Sequence, residues 1–241
     1  MFLLFYRSSL ESCPQEVLVH IFSYLDLFLL LTSVSRVCTK FSWLIKTAPV
    51  LWKFLTFPHQ IQVSKDSIKL ILKHSRFIVD LTIGCALYSS TTPDVDFEFT
   101  RATFTNLSCL DISESLVSTL CFLKTAPALT ILDVSGCKHL IDEDFDAINN
   151  CNLLEQLYVS FTNISADTLE SVCCLKALLV VDACNVNLTL RHCRNIILHT
   201  RGELKKFHFS LHQDVSFNNY RREISECFVN TSLVVHEHNY E

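Results

Sequence analysis

Glycine is nearly missing from this chain: 3 residues in 241, alongside 5 prolines. That excludes a phosphate-cradling loop, which needs several glycines so that backbone N–H groups can approach the ligand. No nucleophile-elbow motif occurs either. There is no Gly/Ser-rich linker, so the modules of the chain are expected to meet at a rigid junction. No CxxC pair occurs among the 12 cysteines, which removes the usual zinc and redox spacings. Excess charge is lacking too, since 20 basic against 25 acidic residues leave a net −5, and no polyanion or anionic membrane is implied as a partner. The richest apolar run, LDLFLLLTSV, carries Asp26. It falls well short of the roughly 20 residues that cross a bilayer. The opening MFLLFYRSS places Arg7 after a short apolar run and has no small-residue cleavage site, so it is not read as a signal peptide. The expectation is a cytoplasmic and/or nuclear protein with reduced thiols packed as small hydrophobes. One pattern opposes it: N-x-S/T sequons begin at Asn106, Asn163, Asn187 and Asn230.

What is present is apolar side chains (49%), arranged periodically. The pattern L-x-x-L-x-L appears as LSCLDI from Leu107, LTILDV from Leu129, LEQLYV from Leu154, LLVVDA from Leu178 and LKKFHF from Leu204. IVDLTI from Ile78 reads as an earlier copy and NTSLVV from Asn230 as a degraded last one. Alternate side chains of a strand share a face, so the fourth and sixth positions point inward together. Those pairs are Leu81/Ile83, Leu110/Ile112, Leu132/Val134, Leu157/Val159, Val181/Ala183 and Phe207/Phe209, all apolar. Helical spacing returns between the strands, in DEDFDAINNC with Phe145 and Ile148 and in ADTLESVCC with Leu169, Val172 and Cys173. Asp142 and Ser165 stand where helix N-caps are expected. A strand and a helix at a period of 20–29 residues are the signature of leucine-rich repeats, whose faces are buried only by stacking on their neighbours. Residues 129–157 resemble the cysteine-containing class of these repeats. That resemblance implies that Cys137 bonds backbone turns, with Ser115 and Thr162 at the equivalent positions and Ala86, Val186 and His212 departing from the pattern.

The front end has a different period. In SCPQEVLVHIFSYL, residues 12–25, Ser12 and Gln15 have capping-box spacing and Pro14 suits a first helical turn. Val17, Leu18, Ile21, Phe22 and Leu25 form one helical stripe. A second runs through Leu30, Val34, Val37 and Phe41, a third through Phe41, Leu44 and Ile45, and Pro49-Val50-Leu51-Trp52 closes the segment. The following stretch, residues 61–80, reads as a helix capped by Ser64 and packed through Ile68, Ile71 and Leu72. Because the repeats carry inward residues of their own, the three-helix segment is not needed to complete their core.

Residues 12–55 resemble an F-box. The matching order is Pro14, Glu16-Val17-Leu18, Ile21-Phe22 with Leu25, Val37-Cys38, then Leu51-Trp52. The departures are Cys13 where leucine is usual, Phe41 where tryptophan is common, and Phe28-Leu29 where an acid precedes the second helix. The resemblance implies docking on a Skp-type adaptor and, through it, a cullin–RING ubiquitin ligase. The adaptor-contacting set would be Pro14, Val17, Ile21, Phe22, Leu25, Val37, Cys38 and Trp52. The expected fold is an α/β solenoid of leucine-rich repeats, with a parallel sheet and outer helices, preceded by a small three-helix F-box. Its parts are the F-box at 8–57, a connecting and capping helix at 58–77, and the solenoid at 78–241.

A target protein would lie on the concave strand face, whose fifth column reads Thr82, Asp111, Asp133, Tyr158, Asp182 and His208. The seventh column reads Gly84, Ser113, Ser135, Ser160, Cys184 and Ser210, small residues that keep the face open. Asp111, Asp133, Tyr158, Asp182 and His208 are the candidate target contacts and suggest a basic segment. No catalytic group, cofactor, metal, nucleic acid or membrane is expected, and the chain should be monomeric outside the complex. The carboxylates of 142–146 open a helix, where acids favour the dipole. His208 and His212 lack a third ligand. Two rivals stay open. One is an extracellular repeat receptor, for which the sequons and cysteines speak; the other is a scaffold whose front helices only cap the solenoid.

Overall fold

A computed structural model describes residues 10–57, 65–83, 99–200, 203–211 and 232–236. Ser64, Gly84, Ala86, His212 and Asn230 lie outside the described residues. The chain opens with helix α1 (Gln15–Phe22), α2 (Leu27–Thr32), a 3-10 turn (Val34–Arg36) and α3 (Thr39–Thr47). No side chain caps α1. Its N-cap is Pro14, and Ser12 ends a preceding 3-10 turn, so the capping box expected from Ser12 and Gln15 does not form. Helix α2 is capped by Asp26, whose Oδ1 accepts the N–H groups of Phe28 at 2.6 Å and Leu29 at 3.3 Å. The acid that the sequence pattern lacked at Phe28-Leu29 is therefore supplied by Asp26.

Eight parallel strands follow in chain order as one sheet: β1 (Phe54–Thr56), β2 (Asp80–Thr82), β3 (Cys109–Asp111), β4 (Ile131–Asp133), β5 (Gln156–Tyr158), β6 (Val180–Leu188), β7 (Lys206–Leu211) and β8 (Ser232–His236). The register pairs Leu55, Leu81, Leu110, Leu132, Leu157, Val181, Phe207 and Leu233 across the whole sheet. All twelve expected inward residues are buried, at no more than 1% exposure. The first column is equally dry, from Ile78 through Leu107, Leu129, Leu154 and Leu178 to Leu204. Burying each large side chain is worth about 1.5–3 kcal/mol, and stacking of neighbouring repeats is what excludes the water. Between repeats, the rings of Phe99, Phe104 and Phe122 pack at 5.1–6.2 Å.

The sheet begins one repeat earlier than the sequence indicated. Trp52-Lys-Phe-Leu55-Thr-Phe57 is a first copy in which tryptophan takes the leading leucine's place, and β1 pairs with β2. Helix α4 (Lys65–Lys73) thus lies between the first two strands as the first repeat's own helix, not as a cap ahead of the sheet. Nor are the two cores separate. One buried cluster runs from Leu18 and Phe22 through Leu51, Trp52 and Leu55 to Phe207 and Phe209.

Across the sheet from the third and fifth positions lie 3-10 and α-helical segments. DEDFDAINN is a 3-10 helix, Asp142–Asn150, in place of the expected α-helix. Phe145 and Ile148, three apart, stay in line at three residues per turn. Helix α5 (Ala166–Val172), whose buried Leu169 and Val172 continue into Cys173, is α-helical and capped by Ser165. Asp142 caps nothing in its own helix; its Oδ1 accepts the Ser165 N–H at 2.8 Å, tying one repeat to the next. Helix α6 (Leu190–His199) is capped by Thr189. Cys137 is fully buried and its Sγ donates to the Ile112 carbonyl at 3.1 Å, the backbone bond that the resemblance implied.

After each of four successive strand motifs, the eighth position is left-handed: Glu114 (φ 55°), Gly136 (φ 74°), Phe161 (φ 58°) and Asn185 (φ 64°). Only Gly136 takes it without steric cost. A Cβ there would also stand 2.5 Å from the Glu114 carboxylate.

Candidate functional site

The first candidate surface is built on α1. Leu18 and Phe22 face the core, and the Phe22 ring meets Phe41 edge-on at 5.1 Å. With that side buried, Val17 (46% exposed), Ile21 (40%) and Leu25 (39%) form a solvent-facing row with the exposed Pro14. Lys40 Nζ donates to the carbonyls of Glu11 at 2.5 Å and Cys13 at 2.8 Å, so the start of α3 is fixed to the Cys13–Pro14 corner. This brings the Val37–Cys38 link towards the same end of the row, with Val37 exposed and Cys38 half-buried. Two residues of the expected set do not belong to it. Phe22 is core, and Trp52 is wholly buried, its Nε1–H donating to the Ile45 carbonyl at 2.9 Å and its ring stacked on His74 at 4.1 Å.

Trp43 and Val50 were not singled out from the sequence. Both are exposed, and they border a groove of about 500 Å³ with Gln15, Val19, His20 and Thr47 on the other flank of α1. The signal that could have found Trp43 is its place on α3 between the inward Phe41 and Leu44, which turns an indole outward.

The second candidate surface is the open face of the sheet. The register aligns Thr82, Asp111, Asp133, Tyr158, Asp182 and His208 in one half-buried row. Neighbouring strands lie about 4.8 Å apart, so the row is a near-continuous ladder of polar groups. The aspartates are not simply displayed. Asp111 Oδ1 accepts the N–H of Ser113 at 2.9 Å and its hydroxyl at 2.6 Å, and Asp133 Oδ1 accepts the N–H of Ser135 at 2.8 Å. Asp182 takes the Ser160 hydroxyl, and its Oδ2 meets His208 Nδ1 at 3.2 Å. These bonds brace the chain as it leaves each strand. The seventh column is also less open than expected, because Ser160 and Ser210 are buried and Ser210 Oγ accepts the Asn185 N–H.

The carboxylates of this row differ electrostatically. Burial pushes Asp133 above the usual carboxylate range despite its bonds from Ser135, and the charges of Asp111 and Asp182 add to the shift. Burial opposes ionisation of Asp182 as well, but Ser160, Cys184 and His208 outweigh it and hold its carboxyl below that range. Burial raises Asp80 too, a residue that sequence reading missed on the third column, although the Cys109 thiol bonds to it. Burial and then Asp80, Asp111 and Asp133 push Cys109 up to about 11, leaving a protonated, weakly nucleophilic thiol. Tyr158 is raised by burial, Asp133 and Asp182, and its hydroxyl donates to Gln156 Oε1 at 2.9 Å.

The opposite shifts predict opposite effects of neutralisation. A carboxyl raised in the fold opposes folding once pH passes its unfolded value of about 3.9, whereas a lowered one stabilises above that value and is lost as pH falls through its folded pKa. At pH 7, Asp133→Asn is expected to raise the thermal midpoint and Asp182→Asn to lower it. Shifts of the same sign in a melting experiment contradict this assignment.

A family model described as F-box-like matches residues 10–58. No curated protein matches the chain. Among solved structures, an internalin C2 from Listeria monocytogenes is similar at TM-score 0.50 and 14% identity, over 77% of this chain and 80% of that one. An internalin F from the same organism is similar at TM-score 0.40 and 12% identity, over 81% of this chain and 66% of its own. At 14% identity the first likeness speaks to fold alone. Residues 10–58 are an F-box-like domain, and the chain as a whole is an α/β solenoid of leucine-rich-repeat type led by those helices.

Proposed function

We propose that the chain is a substrate-recognition subunit of a Skp–cullin–F-box ubiquitin ligase. The observation that carries this reading is the row Pro14, Val17, Ile21 and Leu25, solvent-facing on a helix whose other side is packed, within the F-box-like match. An apolar row of this kind on a small helical module is what a docking partner covers. The partner is a Skp-type adaptor, which links the chain to a cullin and a RING subunit. The solenoid holds a target protein on the open sheet face, and its repeats supply the protein-binding surface. Mechanism is by proximity: fixing the target near the ubiquitin-charged cysteine of another subunit raises its effective concentration. No group of this chain takes part in the chemistry, and the site of action is the cytoplasm and/or nucleus, where ubiquitination ends in proteasomal degradation.

Two features argue against the extracellular reading. Among the described residues the ten cysteines are free thiols. The amide nitrogens of two sequon asparagines are committed to carbonyls of neighbouring repeats, Asn106 to Arg76 at 2.6 Å and Asn163 to Lys138 at 2.6 Å. A glycan at either nitrogen would take one of its two N–H groups and would have to be accommodated beside that bond. Among the described residues, no helix is long and apolar enough to cross a membrane.

Co-expression of the full chain with a Skp-type adaptor is expected to give a stable complex on size exclusion. Elution of the chain without the adaptor would overturn the proposal. On the target side, Asp111→Asn combined with Asp133→Asn is expected to reduce capture of a lysine- and arginine-rich target several-fold, each charge pair at such a surface being worth about 0.2–1 kcal/mol. The asparagine oxygens can still accept the bracing N–H bonds. Unchanged recovery would remove the acidic row from target binding.

A further inference from the structure

The open face of the sheet carries a second column beside the acidic row. The third position of each strand motif turns to the same face as the fifth. The register aligns Cys109, Ile131, Gln156 and Val180 there, on β3 to β6. All four are half-buried. On three of these strands an apolar side chain or a thiol stands next to an aspartate: Cys109 beside Asp111, Ile131 beside Asp133 and Val180 beside Asp182. On β5 the Tyr158 hydroxyl bonds Gln156 across the two columns. The pattern stops at both ends, where β2 has Asp80 and Thr82 and β7 has Lys206 and His208. Three strand steps of about 4.8 Å give a strip about 14 Å long, the length of roughly ten residues of α-helix.

Charge sets the sign of what would cover this strip. Asp111 and Asp133 accept from neutral groups of Ser113 and Ser135. The charges acting on Asp133 are those of Asp111 and Asp182, both negative. A partner therefore gains by bringing cations over the fifth column and apolar side chains over the third. Spacing sets its conformation. One turn of α-helix rises about 5.4 Å against about 4.8 Å between strands, so successive turns stay over successive strands with a drift of about 1.8 Å in three steps. In an extended segment every second side chain returns to one face after about 6.6 Å, and the same three steps accumulate about 5.4 Å, more than a whole strand. An extended segment also turns a single file of side chains to the sheet, whereas a helix turns two neighbouring stripes.

Resting on the target-binding role proposed above, we infer that the open face from β3 to β6 holds an α-helical segment of the target. Its apolar stripe lies over Cys109, Ile131 and Val180, and an adjacent lysine- or arginine-bearing stripe lies over Asp111, Asp133 and Asp182. Basic charge alone is then not enough for recognition. The order of apolar and basic residues along the helix selects the target as much as their number does.

The test is fluorescence anisotropy of labelled synthetic peptides titrated with the full-length chain. The probe is a stapled, alanine-based helix of about 18 residues with adjacent leucine and lysine stripes. A permuted peptide of the same composition has no stripes. The striped peptide is expected to bind saturably, and the permuted one about 10-fold or more weakly. Ile131→Thr combined with Val180→Thr keeps branched side chains in the strands and should weaken the striped peptide by about 10-fold, at a melting temperature close to wild type. Equal binding of the two peptides, with loss in Asp111→Asn/Asp133→Asn, would overturn the helix and leave the acidic row as a target contact. Wild-type affinity in Ile131→Thr/Val180→Thr would overturn the apolar stripe and the inference with it. Absence of saturable binding would do the same, while the adaptor complex decides separately whether the chain is a receptor subunit. Self-association of the chain that is lost in this variant would assign the face to a second copy instead.

Discussion

Val17→Asp combined with Ile21→Asp abolishes adaptor binding and leaves the fold in place. Both side chains are 40–46% exposed on α1, and neither belongs to the buried cluster, so the charges enter solvent in the free protein. In the complex they would be buried without a counter-charge. Anchor residues of protein interfaces cost about 2 kcal/mol or more each when truncated. Two such losses amount to about a thousandfold in affinity, at 1.4 kcal/mol per factor of ten. The expected result is loss of the adaptor from size-exclusion fractions, with a far-UV spectrum and melting temperature close to wild type. Leu18→Asp is the contrasting variant, since Leu18 is fully buried and a charge there unfolds the helical module. Retained adaptor binding in the double variant would show that the row is not the interface.

The stripe on α1 also marks where sequence reading stopped being sufficient. Five apolar residues at Val17, Leu18, Ile21, Phe22 and Leu25 span too wide an arc of one helix to say which half faces the core. The packing decides it: Phe22 meets Phe41, and Leu18 and Phe22 face inward while Val17 and Ile21 face outward. The repeats were legible because a period of two fixes each side chain's face as soon as the strand is identified, and six motifs agreed on all twelve inward positions. The first repeat escaped because Trp52 stands at its leading position and because it overlaps the F-box resemblance. The aspartate row was found by the same periodicity. Its second duty, bracing the turn two residues on, depends on backbone directions that spacing does not encode.

Trp52→Ala is expected to destabilise the F-box-like domain and the solenoid together. The residue was implied as an adaptor contact, yet its exposure is 0% and it leads the first strand motif. Truncating a buried tryptophan costs about 3–5 kcal/mol, a large part of the roughly 5–15 kcal/mol that holds a domain folded. Two further effects add to the cavity. The Ile45 carbonyl at the end of α3 loses its indole donor, and His74 loses the ring it stacks on. His74 is buried, and neither of its ring nitrogens has a hydrogen-bond partner in the structure. Burial and then the nearby Lys73 charge lower its pKa. With its pKa lowered by burial, His74 opposes folding as pH drops below about 6.5. Opening the site to water would lessen that penalty, so the loss of stability in Trp52→Ala should be read at neutral pH. Because β1 belongs to the sheet while Trp52 sits under α3, melting followed by near-UV and far-UV signals should shift as one transition. Trp52→Phe keeps a ring on His74 and loses chiefly the indole bond, so its cost should be nearer 1 kcal/mol. If Trp52→Ala instead weakened adaptor binding at an unchanged melting temperature, Trp52 would be an interface residue after all, and the shared core at the junction would have to be abandoned.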